Sequence, residues 1–267
     1  MTNDLAIITP VHSLKIKFLD QLISSYLLTE PDVDLYIAIS EEEINQFSDY
    51  FKLYDKNKFI ICKNSVNAKN PITYKKLYAV NEVNNLNKYL GIATIDIDSL
   101  FLRSGFSDSF INFKSKKEII GYPSDVDFLI NIQKESSQYV SENEELKKFK
   151  TIYSVWNTLP WFICSDLYDF FNDINYHRDK FINCKWEIFD HSVYQSWLIS
   201  TGKFKISEDQ YRLEYPEDMP PAQRKIFNKY NTLDWIRYGA RHLVCMQNKN
   251  PLMYFHVDRD FKSDQVD

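Results

Sequence analysis

Two carboxylates set one residue apart, Asp96 and Asp98, close the run Gly91-Ile92-Ala93-Thr94-Ile95, and apolar sequence resumes at Leu100-Phe101-Leu102. Charge at the end of a buried strand is costly unless it is paired or bound to a cation. Hard divalent cations such as Mg²⁺ and Mn²⁺ take oxygen ligands, so this pair reads as a cation site. The plainer alternative is a pair of cap and turn carboxylates. Spacing alone does not decide, because Asp32/Asp34, Asp125/Asp127 and Asp258/Asp260 repeat the pattern. Those pairs stand in polar surroundings or at the start of a strand, which predicts a solvated face or a turn. Only Asp96/Asp98 follows a continuous apolar run.

A second group of ionisable side chains, Glu187, Asp190 and His191, lies among Trp186, Phe189 and Tyr194. Asp190 precedes a helical pattern in which Val193, Trp197 and Leu198 share a face. Two readings follow. It is an N-cap, worth about 1 kcal/mol, or a carboxylate facing a substrate hydroxyl, its pKa raised by desolvation toward the useful range. A third feature is the apolar run Leu252-Met253-Tyr254-Phe255, which ends in His256 and is followed by Arg259 and Lys262. His256 is either a surface residue or a ligand placed at a strand end, as Asp96 and Asp98 are.

The elements that must position these groups alternate. Leu5–Ile8 reads as a strand stopped by Thr9-Pro10, and Ser13 as the cap of a helix with an apolar face through Leu19, Leu22, Ile23 and Tyr26. Val33–Ile39 is a second strand, and Ser40 with Glu43 a capping box. Lys58–Cys62 is a third strand. Asn70-Pro71 opens a helix whose buried stripe is Leu77, Val80, Val83, Leu86 and Leu90, and 91–95 is the fourth strand. Such alternation predicts an α/β fold with a parallel sheet. Right-handed crossovers then put Thr9, Pro10, Val11 and His12 near Asp96 and Asp98. After Leu102 the pattern loosens. Glu118–Tyr122 is a short strand, and 123–150 is a surface excursion or lid, or else a solvated helix at 142–150. Ser165 caps a helix reaching Phe171. Residues 222–247 are basic and amphipathic, to be read as a helix pair on the core or as a peripheral contact with an anionic bilayer.

Composition narrows the class. A net charge of −5 argues against a nucleic-acid partner. Five glycines, with no G-x-x-x-x-G-K or G-x-G-x-x-G, argue against a phosphate-cradling glycine loop. Four cysteines without a C-x-x-C predict reduced thiols rather than zinc or disulfides. No signal peptide and no run of 18 apolar residues is read. The expected location is cytoplasmic, or peripheral on the cytoplasmic face of the inner membrane.

Together these motifs resemble the GT-A glycosyltransferases, and more narrowly the retaining galactosyl- and glucosyltransferases of family 8. The family has Thr-Tyr-x-Arg-Leu before its Asp-x-Asp strand, where this chain has Thr73-Tyr74-Lys75-Lys76-Leu77. Trp156-Asn157-Thr158 echoes its Asn-rich acceptor strand, and Asp190-His191 its Asp-Gln pair. His256 and Lys262 keep the spacing of its terminal His and Lys. Lys76 stands for the family's Arg and His191 for its Gln, and the glycine between the final His and Lys is missing.

The resemblance implies a single GT-A-like domain over 1–267, with a mixed, mainly parallel central sheet flanked by helices. Its nucleotide-sugar half is 1–105 and its acceptor half 106–267. It implies transfer of a hexose from a nucleotide-diphosphate sugar, with UDP as the nucleotide, to a glycan or glycolipid acceptor in surface-polysaccharide synthesis. Mn²⁺ (or Mg²⁺) would sit on Asp96, Asp98 and His256. Thr9, Pro10 and Val11 would line the base pocket, and Lys76 and Lys262 would meet the phosphates. Asp190, with Glu187, would serve the acceptor as base if the enzyme inverts, or orient it if the enzyme retains. Two other readings are a haloacid-dehalogenase-like phosphatase with Asp96 as nucleophile, and a non-catalytic carbohydrate-binding protein.

Overall fold

The structure is a computed structural model. It describes residues 3–29, 31–97, 99–101, 104–119, 121–123, 127–154, 159, 161–175, 181–207 and 252–254. In chain order the first half holds β1 (Leu5–Pro10), α1 (Ile16–Thr29), β2 (Asp34–Ser40), α2 (Tyr50–Leu53), β3 (Phe59–Cys62), α3 (Pro71–Asn84), β4 (Gly91–Thr94) and β5 (Ser99–Phe101). The second half holds α4 (Phe106–Lys116), β6 (Glu118–Ile119), β7 (Gly121–Pro123), α5 (Asp127–Ser136), α6 (Glu144–Phe149), β8 (Ile152–Ser154) and β9 (Trp161–Ile163). It continues with α7 (Cys164–Asp173), α8 (Asp190–Ser200), β10 (Lys205–Ile206) and β11 (Leu252–Tyr254).

The central sheet has the order β3-β2-β1-β4-β9. The pairs β1·β2, β2·β3 and β1·β4 are parallel, and β4·β9 is antiparallel. The fold is therefore α/β, as the alternation predicts, with the mixed, mainly parallel sheet that the resemblance implies. Every residue of β1 and β4 is buried, which is why both read as unbroken apolar runs. β1 continues through Pro10, past the expected stop. Val11 N donates to Ala38 O of β2, so Pro10's nitrogen turns toward the β4 side. There β4 ends at Thr94, abreast of Ile8, and the missing N–H interrupts no ladder bond. Gly91 opens β4, where a Cβ would run into the Phe110 ring.

α3 is the central helix. Asn70 caps it, its side chain accepting from Thr73 N, with Pro71 at its first position. From Thr73 to Val80 every side chain is buried, Lys75 and Lys76 included. Leu77, Val80 and Val83 lie inside as expected. The helix ends at Asn84, so Leu86 and Leu90 fall outside the stripe and are exposed.

Two expected caps are replaced. His12, not Ser13, caps the short 3₁₀ turn before α1. Ser40 makes no side-chain cap bond, and Glu43 reaches instead to Ser13, accepting from its N (3.1 Å) and Oγ (2.6 Å). In its described part the 123–150 stretch includes the helix expected at 142–150, with Glu144, Lys147 and Lys148 exposed. It carries α5 and α6, and α6 buries Leu146 and Phe149. The helix expected after Ser165 begins at Cys164 and runs to Asp173. Among the described residues no helix is long and apolar enough to cross a membrane. The 222–247 stretch and Trp156-Asn157-Thr158 lie outside the described residues.

Candidate functional site

β1 pairs with β2 on one side and β4 on the other, so strand order reverses between β1 and β4. In open α/β sheets ligands collect at the carboxyl ends of the strands flanking such a reversal. Ile95 N donates to Ile8 O at 2.9 Å, so Thr9 and Pro10 do lie on the rim that holds Asp96. Thr9, Pro10 and Val11 are all buried, and only the His12–Lys15 turn beyond them reaches solvent.

Asp96 follows β4 directly, and Lys76 Nζ donates to its Oδ1 at 2.8 Å. The same ammonium is 3.8 Å from Asp190 Oδ1. Asp190 is the first residue of α8, whose cap position is Phe189, and it makes no cap bond. The capping reading is therefore wrong. The carboxylate turns inward, and its Oδ2 accepts from Thr94 Oγ1 at 2.6 Å. His191 Nδ1 stands 3.8 Å from Oδ1, too long for a hydrogen bond, and Oδ1 has no hydrogen-bond partner. Burial pushes the Asp190 pKa up, but the Lys76 charge, the adjacent imidazole and the Thr94 hydroxyl outweigh it and hold the group at about 2. The expected rise is thus reversed, because a buried cation stands beside the acid.

These groups are graded in depth. Side-chain exposure falls from 23% at Asp96 to 6% at Lys76 and 1% at Asp190. Asp96 is the member that can meet a ligand.

The Thr73-Tyr74-Lys75-Lys76-Leu77 segment positions the site from several directions. Thr73 Oγ1 donates to Ile188 O at 2.7 Å. Asn70 Nδ2 donates to the carbonyls of Lys185, Trp186 and Ile188. Both tie α3 to the turn that delivers α8, and so fix Asp190. Lys75 Nζ points the other way, donating to Val11 O at 2.6 Å and standing 3.8 Å from Glu43 Oε2. Burial pulls the Lys75 pKa down, while Glu43 opposes that shift. Adjacent lysines therefore brace the ends of the two strands on either side of the reversal.

Glu187 lies half-buried in the turn before α8. Asp98, His256 and Lys262 lie outside the described residues. Among the described residues no three His, Cys, Asp or Glu side chains gather to hold a metal ion, and Asp96 is the one member present of the expected set. The strands beside the other two are described. β11 pairs antiparallel with β5, placing Tyr254 opposite Ser99. Ser99 is the residue after Asp98, and Tyr254 is two residues before His256. Among the described residues Cys62, Cys164 and Cys184 form no disulfide. Burial pushes Cys164 up to about 12 and Cys184 to about 11, which makes them poor nucleophiles.

Sequence reading missed Thr94, Lys75 and Glu43. Thr94 was within reach, since residues two apart on a strand share a face and Thr94 lies two before Asp96. Lys75 and Glu43 carried no such signal, because charged side chains are rarely buried.

No family model matches the chain, and no curated protein matches it. Among solved structures the chain is similar to S. aureus TarS 1–349 in complex with UDP, at 12% identity and a TM-score of 0.38. The similarity covers 77% of this chain and 58% of that one, so the chain spans well under two thirds of TarS 1–349. A likeness at that level assigns no function.

Proposed function

We propose that this chain is a glycosyltransferase on a GT-A-like fold, moving a hexose from a nucleotide-diphosphate sugar, with UDP as the nucleotide, to a glycan or glycolipid acceptor of surface-polysaccharide synthesis. The observation that supports it most directly is the part-exposed Asp96 at the carboxyl end of β4, beside β1 and at the reversal of strand order. Departure of a nucleoside diphosphate concentrates negative charge on the leaving group. Asp96, with Asp98 and His256, would hold Mn²⁺ or Mg²⁺, which would supply Lewis-acid neutralisation of that charge. The β5·β11 pairing supports that set, since it draws together the strands adjoining Asp98 and His256.

The chain's own residues do the rest. Lys76 orients Asp96 and adds positive charge behind it, and Lys262 is proposed to meet the phosphates. The base is proposed to rest over the turn that follows Thr9, Pro10 and Val11, held by Lys75 and Glu43. Glu187 is the proposed acceptor-side carboxylate.

The test is a thermal-shift screen of UDP, GDP, CDP and ADP, each with Mn²⁺ or with EDTA. A ligand that binds only the folded form raises apparent stability. UDP with Mn²⁺ is expected to raise Tm by several degrees, and EDTA to remove the shift. Absence of a shift with every nucleotide, together with phosphate release from a simple phosphomonoester, would replace this reading with the phosphatase.

A further inference from the structure

The depth order of the cluster separates two roles that a carboxylate at Asp190 could have. A base for an acceptor hydroxyl must come within hydrogen-bond reach of it. Asp190 is almost wholly enclosed, and one oxygen is occupied by the Thr94 hydroxyl at 2.6 Å. Its other oxygen faces the interior, with Lys76 Nζ and His191 Nδ1 each at 3.8 Å. Lys76 in turn contacts Asp96 at 2.8 Å, and Asp96 alone of the four has an open side. The described contacts therefore run in one direction, from Thr94 through Asp190 and Lys76 to Asp96.

We propose that Asp190 and Thr94 are positioning residues that act through Lys76, setting the ammonium behind the diphosphate site, and that neither touches the acceptor. This rests on the donor-site reading given above. A buried ammonium with a carboxylate on each side is held at one spot by opposed attractions. Thr94 fixes the orientation of the inner carboxylate, and α8 fixes its backbone. With Asp190 neutralised, the cation is drawn wholly to Asp96 and cancels the charge with which Asp96 would grip a donor. The influence of Asp190 therefore falls on donor binding, whereas a base would affect the acceptor step alone.

The experiment titrates UDP in the presence of Mn²⁺ by calorimetry against wild type, Lys76→Met, Asp190→Asn, Thr94→Val, Thr94→Ser and the double variant Lys76→Met/Asp190→Asn. Circular dichroism melts accompany each, to show that the variants fold. Lys76→Met and Asp190→Asn are each expected to weaken UDP about tenfold or more. The double variant is expected to be no weaker than Lys76→Met alone, because residues acting in series are not additive. Thr94→Val should weaken UDP severalfold and Thr94→Ser restore it, a rescue that also stands in for Asp190→Asn should that variant not fold. Unchanged UDP affinity in folded Asp190→Asn or Thr94→Val overturns the inference and leaves the donor-site reading intact. Wild type that binds no nucleoside diphosphate overturns both.

Discussion

The two ends of the parallel sheet each carry a carboxylate–lysine cluster, and they are built oppositely. At the amino end Asp34, the first residue of β2, accepts from Asn3 before β1, lies 2.9 Å from Lys58 Nζ before β3, and accepts from Lys88 and Tyr89 before β4. One carboxylate thus ties the starts of all four parallel strands, and both its oxygens are used. Tyr36 adds a hydroxyl contact to Tyr89 at 2.8 Å. At the carboxyl end Asp190 Oδ1 makes no hydrogen bond, and one ammonium serves two acids. Buried polar groups are normally satisfied. The amino-end carboxylate spends both oxygens on holding strands together, whereas the carboxyl-end pair leaves one buried oxygen of Asp190 without a hydrogen bond, close to the part-exposed Asp96.

Asp96→Asn should break this comparison hardest at the carboxyl end. Donor turnover is expected to fall about a thousandfold, the scale of losing a charge-stabilising group, with Tm near wild type. Steady-state donor hydrolysis alongside a melt checks both. Turnover kept, or fold lost, would erase the distinction between the two ends.

Asp34→Asn should do the reverse. It weakens two ion pairs and two hydrogen bonds and is expected to destabilise the fold by about 2 kcal/mol, discounted for partial exposure. UDP affinity of the folded fraction should stay unchanged. Urea denaturation with calorimetry on the same sample reads both quantities.

The smallest effect sharpens the amino-end picture through pH. Burial raises the Asp32 and Asp34 pKa values, but Ser107 and the amides of Gly105 and Phe106 around Asp32, and Lys88, Tyr89 and Lys58 around Asp34, outweigh it. Both are held at about 2 against an ordinary 3.8. Groups depressed in the folded state stabilise it above their unfolded value and lose that contribution as pH falls toward the folded one. Stability should therefore fall between about pH 4 and pH 2, and Asp34→Asn should flatten part of that slope. An acid limb of unchanged slope in the variant would remove Asp34 from the account.

Asp32 and Asp34 also show where the Asp-x-Asp pattern misleads. The pattern predicts a solvated face or turn, and Asp32 does stand in a bend before β2. Its carboxylate is spent far along the chain, accepting from the backbone N–H groups of Gly105, Phe106 and Ser107 at the start of α4. Asp190 teaches the same from the other side, since its place at a helix start allows either a cap or a carboxylate facing a substrate hydroxyl, and it faces a threonine 96 residues distant.

Local chemistry in the sequence was enough for the strands β1 to β4, the Asn70-Pro71 start of α3 and the place of Asp96 just past the end of β4. Apolar periodicity, proline geometry and the cost of a bare charge act within a few residues, so a linear reading can detect them. The burial of Lys75 and Lys76, the diversion of Glu43 to Ser13 and the inward turn of Asp190 depend on partners that folding alone brings within reach. Only the tertiary structure could decide those, because the energy of a buried charge is set by what stands next to it in space and not by its neighbours in the chain.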